Sequence, residues 1–385
     1  MRILRTKLMV VFALTVISLT AVAGPKERRG LSEEAIEDIR ATGADKYLGQ
    51  FTPVTSTAIG DGWVKHTYDT EGGDGPICIA GTPFSAFTRK GNPAKLLIVE
   101  QGGGACWQDF YFCNIEAESQ EPPAPPEGIW NFDSKDNPFA NYSVVYMPYC
   151  DGSVFSGDND VVDANFPFGP VRFHRGLRNQ SAAMDLARAT FPNASKITIA
   201  GSSAGGVGAA GNAPFIARLL YGNQIDLTVF NDAGPIAINL NDVAGIQARE
   251  ADWKISQFYP ESCTDCDPNG QPTALIQWRL DNDSTIREAF YSTDGDATDR
   301  FFLNVPTQEE YRALLLSEHG KLTASHPDRY KLFIVSGDDS HTALQSNRFY
   351  TQEVFGVTLD EWTGHFVSPR KPFWQELVQP FEPLP

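Results

Sequence analysis

The chain has 385 residues, 42% of them hydrophobic, which is enough apolar material for a sizeable core. Its formal net charge of -17 excludes partners recognised through a basic surface, nucleic acid and anionic membranes above all. Six cysteines in a chain that opens with an export signal favour disulfides over metal or redox chemistry.

That signal comes first. Arg2, Arg5 and Lys7 precede an apolar run from Leu8 to Val22 that closes on Ala21-Val22-Ala23, the composition of a cleavable secretory peptide. The run is too short and too poorly flanked for a permanent membrane span. We therefore expect residues 1–23 to be removed after Ala23. Residues 24–385 are then a single secreted or periplasmic domain with a charge near -20.

Leu31 to Thr42 reads as a short surface helix started by Ser32 and Glu34. Trp63 to Tyr68 and Ile77 to Ala80 read as outer strands. Lys95 to Glu100 is a buried-strand run feeding into Gly102-Gly103-Gly104-Ala105-Cys106-Trp107, where a backbone free of side chains can turn its amides toward a ligand. Ser143 to Met147 is the next buried strand. It enters the loop Pro148 to Asp158, whose aromatics, carboxylates and glycines suit a cleft wall, with Trp107, Tyr149, Phe155 and Asp158 as candidate lining. Arg175 to Phe191 is a helix.

Lys196 to Ala200 is a strand that stops at Gly201-Ser202-Ser203-Ala204-Gly205, and apolar residues at helical spacing follow. Gly-x-Ser-x-Gly between a strand and a helix is the nucleophile elbow, with Ser203 at its tip. Leu227 to Phe230, Ala274 to Leu280 and Lys331 to Ser336 are later strands. This alternation of strands and helices predicts an α/β-hydrolase-like fold: a mostly parallel sheet flanked by helices, with loop insertions. The acidic runs Asp158 to Asp163 and Asp294 to Asp299 do not match calcium-loop spacing and read as solvated loop charge.

A serine hydroxyl needs a base beside it, and the base needs an acid to fix its tautomer. In this fold both follow the serine, each after a later strand. His341 alone follows a buried strand at loop distance, while His319 and His326 read as solvated residues of a polar helical segment. For the acid, Asp281 ends the expected strand Leu275 to Leu280, with Asp283 and then Asp232 in reserve. Cys106 with Cys113 and Cys263 with Cys266 are near in sequence, which leaves Cys78 with Cys150, one choice among the fifteen pairings that six cysteines allow.

Gly102-Gly-Gly-Ala-Cys106, Pro148-Tyr-Cys-Asp-Gly-Ser-Val-Phe-Ser-Gly-Asp158, Arg175-Gly, Gly201-Ser-Ser-Ala-Gly-Gly206, Asp232-Ala-Gly234 and Gly337 to His341 stand in the order found in one family. In these stretches the chain resembles the pectin acetylesterase family, which takes in the Notum-like carboxylesterases of animals. The resemblance implies Ser203 as nucleophile, Asp281 as acid, His341 as base, and Gly104, Ala105 and Ala204 as oxyanion donors. Plant-like members carry Trp where this chain has Ala105. The implied activity is hydrolysis of an O-acyl ester, acetyl on a polysaccharide first, through an acyl-enzyme and without cofactor or metal. A short-chain carboxylesterase, lipase or protein O-deacylase is the alternative, although a long acyl tunnel would need an apolar insertion that the sequence does not display. The expected partner is an acylated small molecule or polysaccharide, met by a monomer.

Overall fold

The computed structural model describes residues 30–70, 73–116, 126–368 and 373–385. The expected signal peptide lies outside the described residues.

Ten strands form one sheet: β1 (Thr55–Gly60), β2 (Trp63–Thr67), β3 (Ser85–Arg89), β4 (Asn92–Glu100), β5 (Tyr142–Met147), β6 (Lys196–Ser202), β7 (Asp226–Asp232), β8 (Arg287–Thr293), β9 (Tyr330–Val335) and β10 (Leu377–Val378). Their spatial order is β1-β2-β3-β5-β4-β6-β7-β8-β9-β10. The first three are antiparallel to their neighbours, and every pair from β5 to β10 is parallel. This is the α/β-hydrolase-like architecture that the sequence led us to expect.

The parallel strands read as unbroken apolar runs because both of their faces are covered. Side chains alternate across a strand. Leu96 and Ile98 of β4, Ile197 and Ile199 of β6 and Leu227 and Val229 of β7 therefore join one core, together with Leu177, Ala183 and Leu186 of the helix Gly176–Thr190. Leu97, Val99, Ala200 and Phe230 join the opposite core, with Trp362 and Phe366 of the helix Leu359–Val367.

Two expectations need correction. Ile77 to Ala80 is not a strand but a turn with an isolated bridge, and β2 pairs instead with β1 and β3. Ala274 to Leu280 belongs to the helix Thr273–Asn282, in which Leu275, Ile276, Trp278, Arg279 and Leu280 are buried. Its apolar residues recur at three and four positions, a helical spacing that a short run does not separate from a buried strand. The strand in this part of the sheet is β8, Arg287-Glu-Ala-Phe-Tyr-Ser-Thr293. Its charged start disguised it: buried Glu288 sits inside the fold because Arg279 forks onto it at 2.7 Å from two nitrogens.

The three disulfides are Cys78–Cys150, Cys106–Cys113 and Cys263–Cys266, the pairing preferred from sequence. Among the described residues no helix is long and apolar enough to cross a membrane.

Candidate active site

Ser203 stands between β6 and the helix Ala204–Ala210 with φ 56° and ψ -122°, a conformation that costs a non-glycine residue energy. The turn closes so tightly that a Cβ on Gly201 would strike the Gly205 carbonyl, and one on Gly205 would strike the Glu100 carbonyl. Glycine on both sides is a steric requirement of this elbow.

The base loop reaches the elbow through Asp232, at the end of β7. Its carbonyl accepts the Ser203 amide at 2.8 Å. Its carboxylate accepts the Ser202 hydroxyl at 2.6 Å and the amides of Ala343 and Leu344 at 2.9 Å each. One buried residue thus ties the nucleophile turn to the segment just past His341, and the reserve acid of the sequence reading is a clamp.

His341 lies in the loop after β9. Its Nδ1 is 2.7 Å from Asp296 Oδ2 and 3.6 Å from Asp299 Oδ1, while its Nε2 is buried without a protein partner. Asp296 is fully buried three residues past the end of β8, and its Oδ1 accepts the amides of Thr298 and Asp299 at 2.9 Å each, so it caps the helix Ala297–Leu303. Burial opposes charge on the imidazole, but the Asp299 and Asp296 carboxylates push it up to about 9. Burial, reinforced by the Asp296 charge, pushes the Asp299 carboxyl well above the usual carboxylate range. The two shifts are coupled through one shared proton, and burial disfavours charge on either group. Ligand atoms of Asp296, Asp299 and His341 lie within 4.8 Å of one another. Nδ1 is committed to Asp296, so the arrangement is that of an acid–base set.

Asp281 is not in this set. It rides on the exposed side of the helix Thr273–Asn282, where it meets His326 Nε2 at 2.9 Å and Gln277 at 3.1 Å. Asp283 is buried against Arg218 at 2.7 Å, an internal ion pair rather than a site acid. The expected loop charge of 294–299 is likewise corrected: Asp294, Asp296 and Asp299 are all buried. Asp296 was findable by the rule that located His341, a polar residue just past a buried parallel strand, once β8 is recognised.

A cavity of about 190 Å³ opens on Ser203. Gly104, Ala105 and Ala204, the expected oxyanion donors, line it beside the serine, as does Trp107. Gly104 has φ 77°, and a Cβ there would meet the Phe112 carbonyl. Val207, Ile236, Ile246, Trp253, Leu275 and Phe302 also line it, and the lining is mostly apolar. Trp253 ties the helix Val243–Trp253 to the hairpin after Gly104 by donating to the Cys106 carbonyl at 2.7 Å. This wall is assembled from several separate segments, which is why no single apolar insertion marks it in the sequence.

The other expected cleft residues lie elsewhere. Tyr149 and Phe155 are fully buried and pack on one another at 5.3 Å, and Asp158 is held by Lys46 and Arg178. Their loop folds inward because Asp151 gathers the amides of Ser153 and Phe155. Only Val154 and Ser156 of that loop reach the cavity wall.

Residues 64–262 match the family model described as pectinacetylesterase. The chain belongs to the pectinacetylesterase family. Over 154 residues, 37% of the chain, this pectinacetylesterase-family protein is 29% identical to palmitoleoyl-protein carboxylesterase notum1a of Danio rerio. Over 146 residues, 34% of the chain, it is 31% identical to pectin acetylesterase 4 of Arabidopsis thaliana. These matches span about a third of each relative's length, 30% and 34% respectively. The fold is similar to that of the Wnt deacylase Notum from Drosophila, with TM-score 0.58, 18% identity, and 79% of this chain covering 93% of that one.

Proposed function

We propose that the protein is a serine carboxylic-ester hydrolase of an oxidising, extracytoplasmic compartment, acting on an apolar acyl ester longer than acetate. Ser203 Oγ attacks the acyl carbonyl while His341 takes its proton at Nε2. Asp296 holds the Nδ1–H tautomer and stabilises the imidazolium that forms. The amides of Gly104, Ala105 and Ala204 receive the oxyanion, a term worth about 3 to 4 kcal/mol per donor. The alcohol leaves with the proton from His341, and water activated by the same nitrogen releases the acyl group. Three disulfides support the compartment.

The observation that carries the acyl assignment is the cavity. An apolar void of about 150 Å³ accommodates a six-carbon ligand such as benzene. About 190 Å³ of mostly apolar space beside Ser203 is several times what an acetyl methyl fills. The family match favours a second reading, removal of O-acetyl groups from a polysaccharide. A p-nitrophenyl ester series separates the two. We expect kcat/KM to peak at hexanoate or octanoate and to vanish in Ser203→Ala. A peak at acetate, joined by acetate release from acetylated glycans, would transfer the assignment to the second reading, and turnover that survives Ser203→Ala would end both.

A further inference from the structure

Three buried carboxyl groups crowd one imidazole in this site, and they are not equally supplied with donors. Asp296 accepts three hydrogen bonds, from His341 Nδ1, Thr298 N and Asp299 N. Asp232 also accepts three, from Ser202 Oγ, Ala343 N and Leu344 N. Asp299 accepts one, from the Tyr311 hydroxyl at 2.7 Å, and its other oxygen stands 3.6 Å from His341 Nδ1, beyond hydrogen-bond reach. A buried carboxylate is stabilised by the donors that replace water. By that measure Asp296 and Asp232 are built to carry charge and Asp299 is not.

We propose that Asp299 is a neutral carboxylic acid in the working enzyme, and that by withholding a second negative charge from His341 it keeps the imidazole free to act as a base. The idea rests on the Ser203, His341 and Asp296 assignment above. Asp299 is a positioning residue in this scheme, acting through His341. The groups facing it are Asp296 from the loop after β8, His341 from the loop after β9, Asp232 from the end of β7, and Tyr311 from the helix Gln308–Ser325. Among them His341 is the one group that bears positive charge, and only when protonated.

Were Asp299 ionised, its charge so close to Nδ1 would favour imidazolium, and Ser203 would face an acid instead of a base. Burial and the neighbouring Asp296 charge act the opposite way on Asp299 and hold its proton in place. The two arrangements differ only in where one proton sits. Proton on Asp299 leaves Nε2 of His341 with a lone pair; proton on His341 fills it.

The experiment reads protonation directly, in the Ser203→Ala background as well as in the wild type, so that it does not depend on turnover. Infrared difference spectra between the parent and Asp299→Asn at pH 7 should contain a protonated-carboxyl carbonyl band lost with the substitution. Nitrogen-labelled His341 should titrate at the same pH in both, and the acid limb of kcat/KM should stay within about half a pH unit. Absence of the band, or His341 protonated at pH 8 in the parent and falling by more than a unit in Asp299→Asn, would overturn the proposal. A band present in a protein whose esterase activity survives Ser203→Ala would instead sink the functional reading and leave the proton where we put it.

Discussion

His341 Nδ1 and Asp296 Oδ2 are 2.7 Å apart, and the loops that carry them follow adjacent parallel strands, β9 and β8. An acid replaced by its amide in such a pair presents the wrong partner to the imidazole and costs on the order of 10⁴ in kcat. Asp296→Asn is expected to fall by about that factor with little change in melting temperature. Asp281→Asn should leave kcat within about twofold, since its side chain is 54% exposed and serves His326. A large loss from Asp281→Asn with Asp296→Asn active would reverse the assignment. Asp283→Asn should act on folding instead, because breaking the buried pair with Arg218 costs about 3–5 kcal/mol.

The adjacent serines should separate cleanly. Ser203→Ala removes the nucleophile and should abolish labelling by an organophosphonate. Ser202 donates its hydroxyl to Asp232 at 2.6 Å and accepts from Gln345 at 3.2 Å. Ser202→Ala therefore leaves a buried carboxylate one donor short, a loss of about 1–3 kcal/mol in stability, while labelling at Ser203 persists. Loss of labelling in both variants at unchanged stability would mean that the elbow tip is misassigned.

The nucleophile and base were legible because each follows a strand with a buried, largely apolar run: Ile197-Thr-Ile-Ala before Ser203, and Leu332-Phe-Ile-Val before His341. The acid was not, because β8 begins with Arg287 and Glu288 and its apolar content is short. A helix ending in Asp281 offered a longer apolar run in the same part of the chain. Which carboxylates are buried was also hidden. Asp158, Asp163 and Asp294 are each paired with an arginine on another element, nine to twenty residues along the chain, and such pairings leave no local pattern. The cavity was hidden for the same reason, being shared among residues from Gly104 to Leu303.

Stability should fall on acidification through His319, expected from sequence to be solvated but found fully buried, stacked on Phe290 at 3.9 Å with Nδ1 2.7 Å from the Tyr330 hydroxyl. Burial pushes its pKa down to about 3. The unfolded chain therefore binds the proton first, and stability present above pH 6.5 is lost as pH falls toward 3, by roughly 4 to 5 kcal/mol in full. Asp151 opposes this, since burial raises it to about 6 and acid therefore favours its folded form. Denaturant titrations of His319→Phe should have a weaker loss between pH 6 and pH 4 than the parent. Identical slopes would remove His319 from the acid response.

Thiol labelling of the unfolded, unreduced protein should find no reactive cysteine, as all six are paired. Export into an oxidising compartment would close all three. Substantial labelling at Cys263 and Cys266 alone would point to a reducible pair with a redox role.

The acyl cavity can be tested by filling it. Ile246 lies on the helix Val243–Trp253, is buried, and lines the wall together with Trp253 and Phe302. Ile246→Trp adds bulk there without touching Ser203, His341 or Asp296. Removing or blocking space for one or two methylenes in an apolar pocket is worth roughly 10- to 200-fold in kcat/KM. Octanoate turnover should therefore drop at least tenfold while acetate turnover holds within about twofold, which turns a chain-length profile peaked at six to eight carbons into one peaked at two. Melting temperatures and organophosphonate labelling of Ser203 would establish that the variant is folded with its nucleophile intact. If both esters fall together in a folded variant, the cavity serves the alcohol half of the substrate or no part of it.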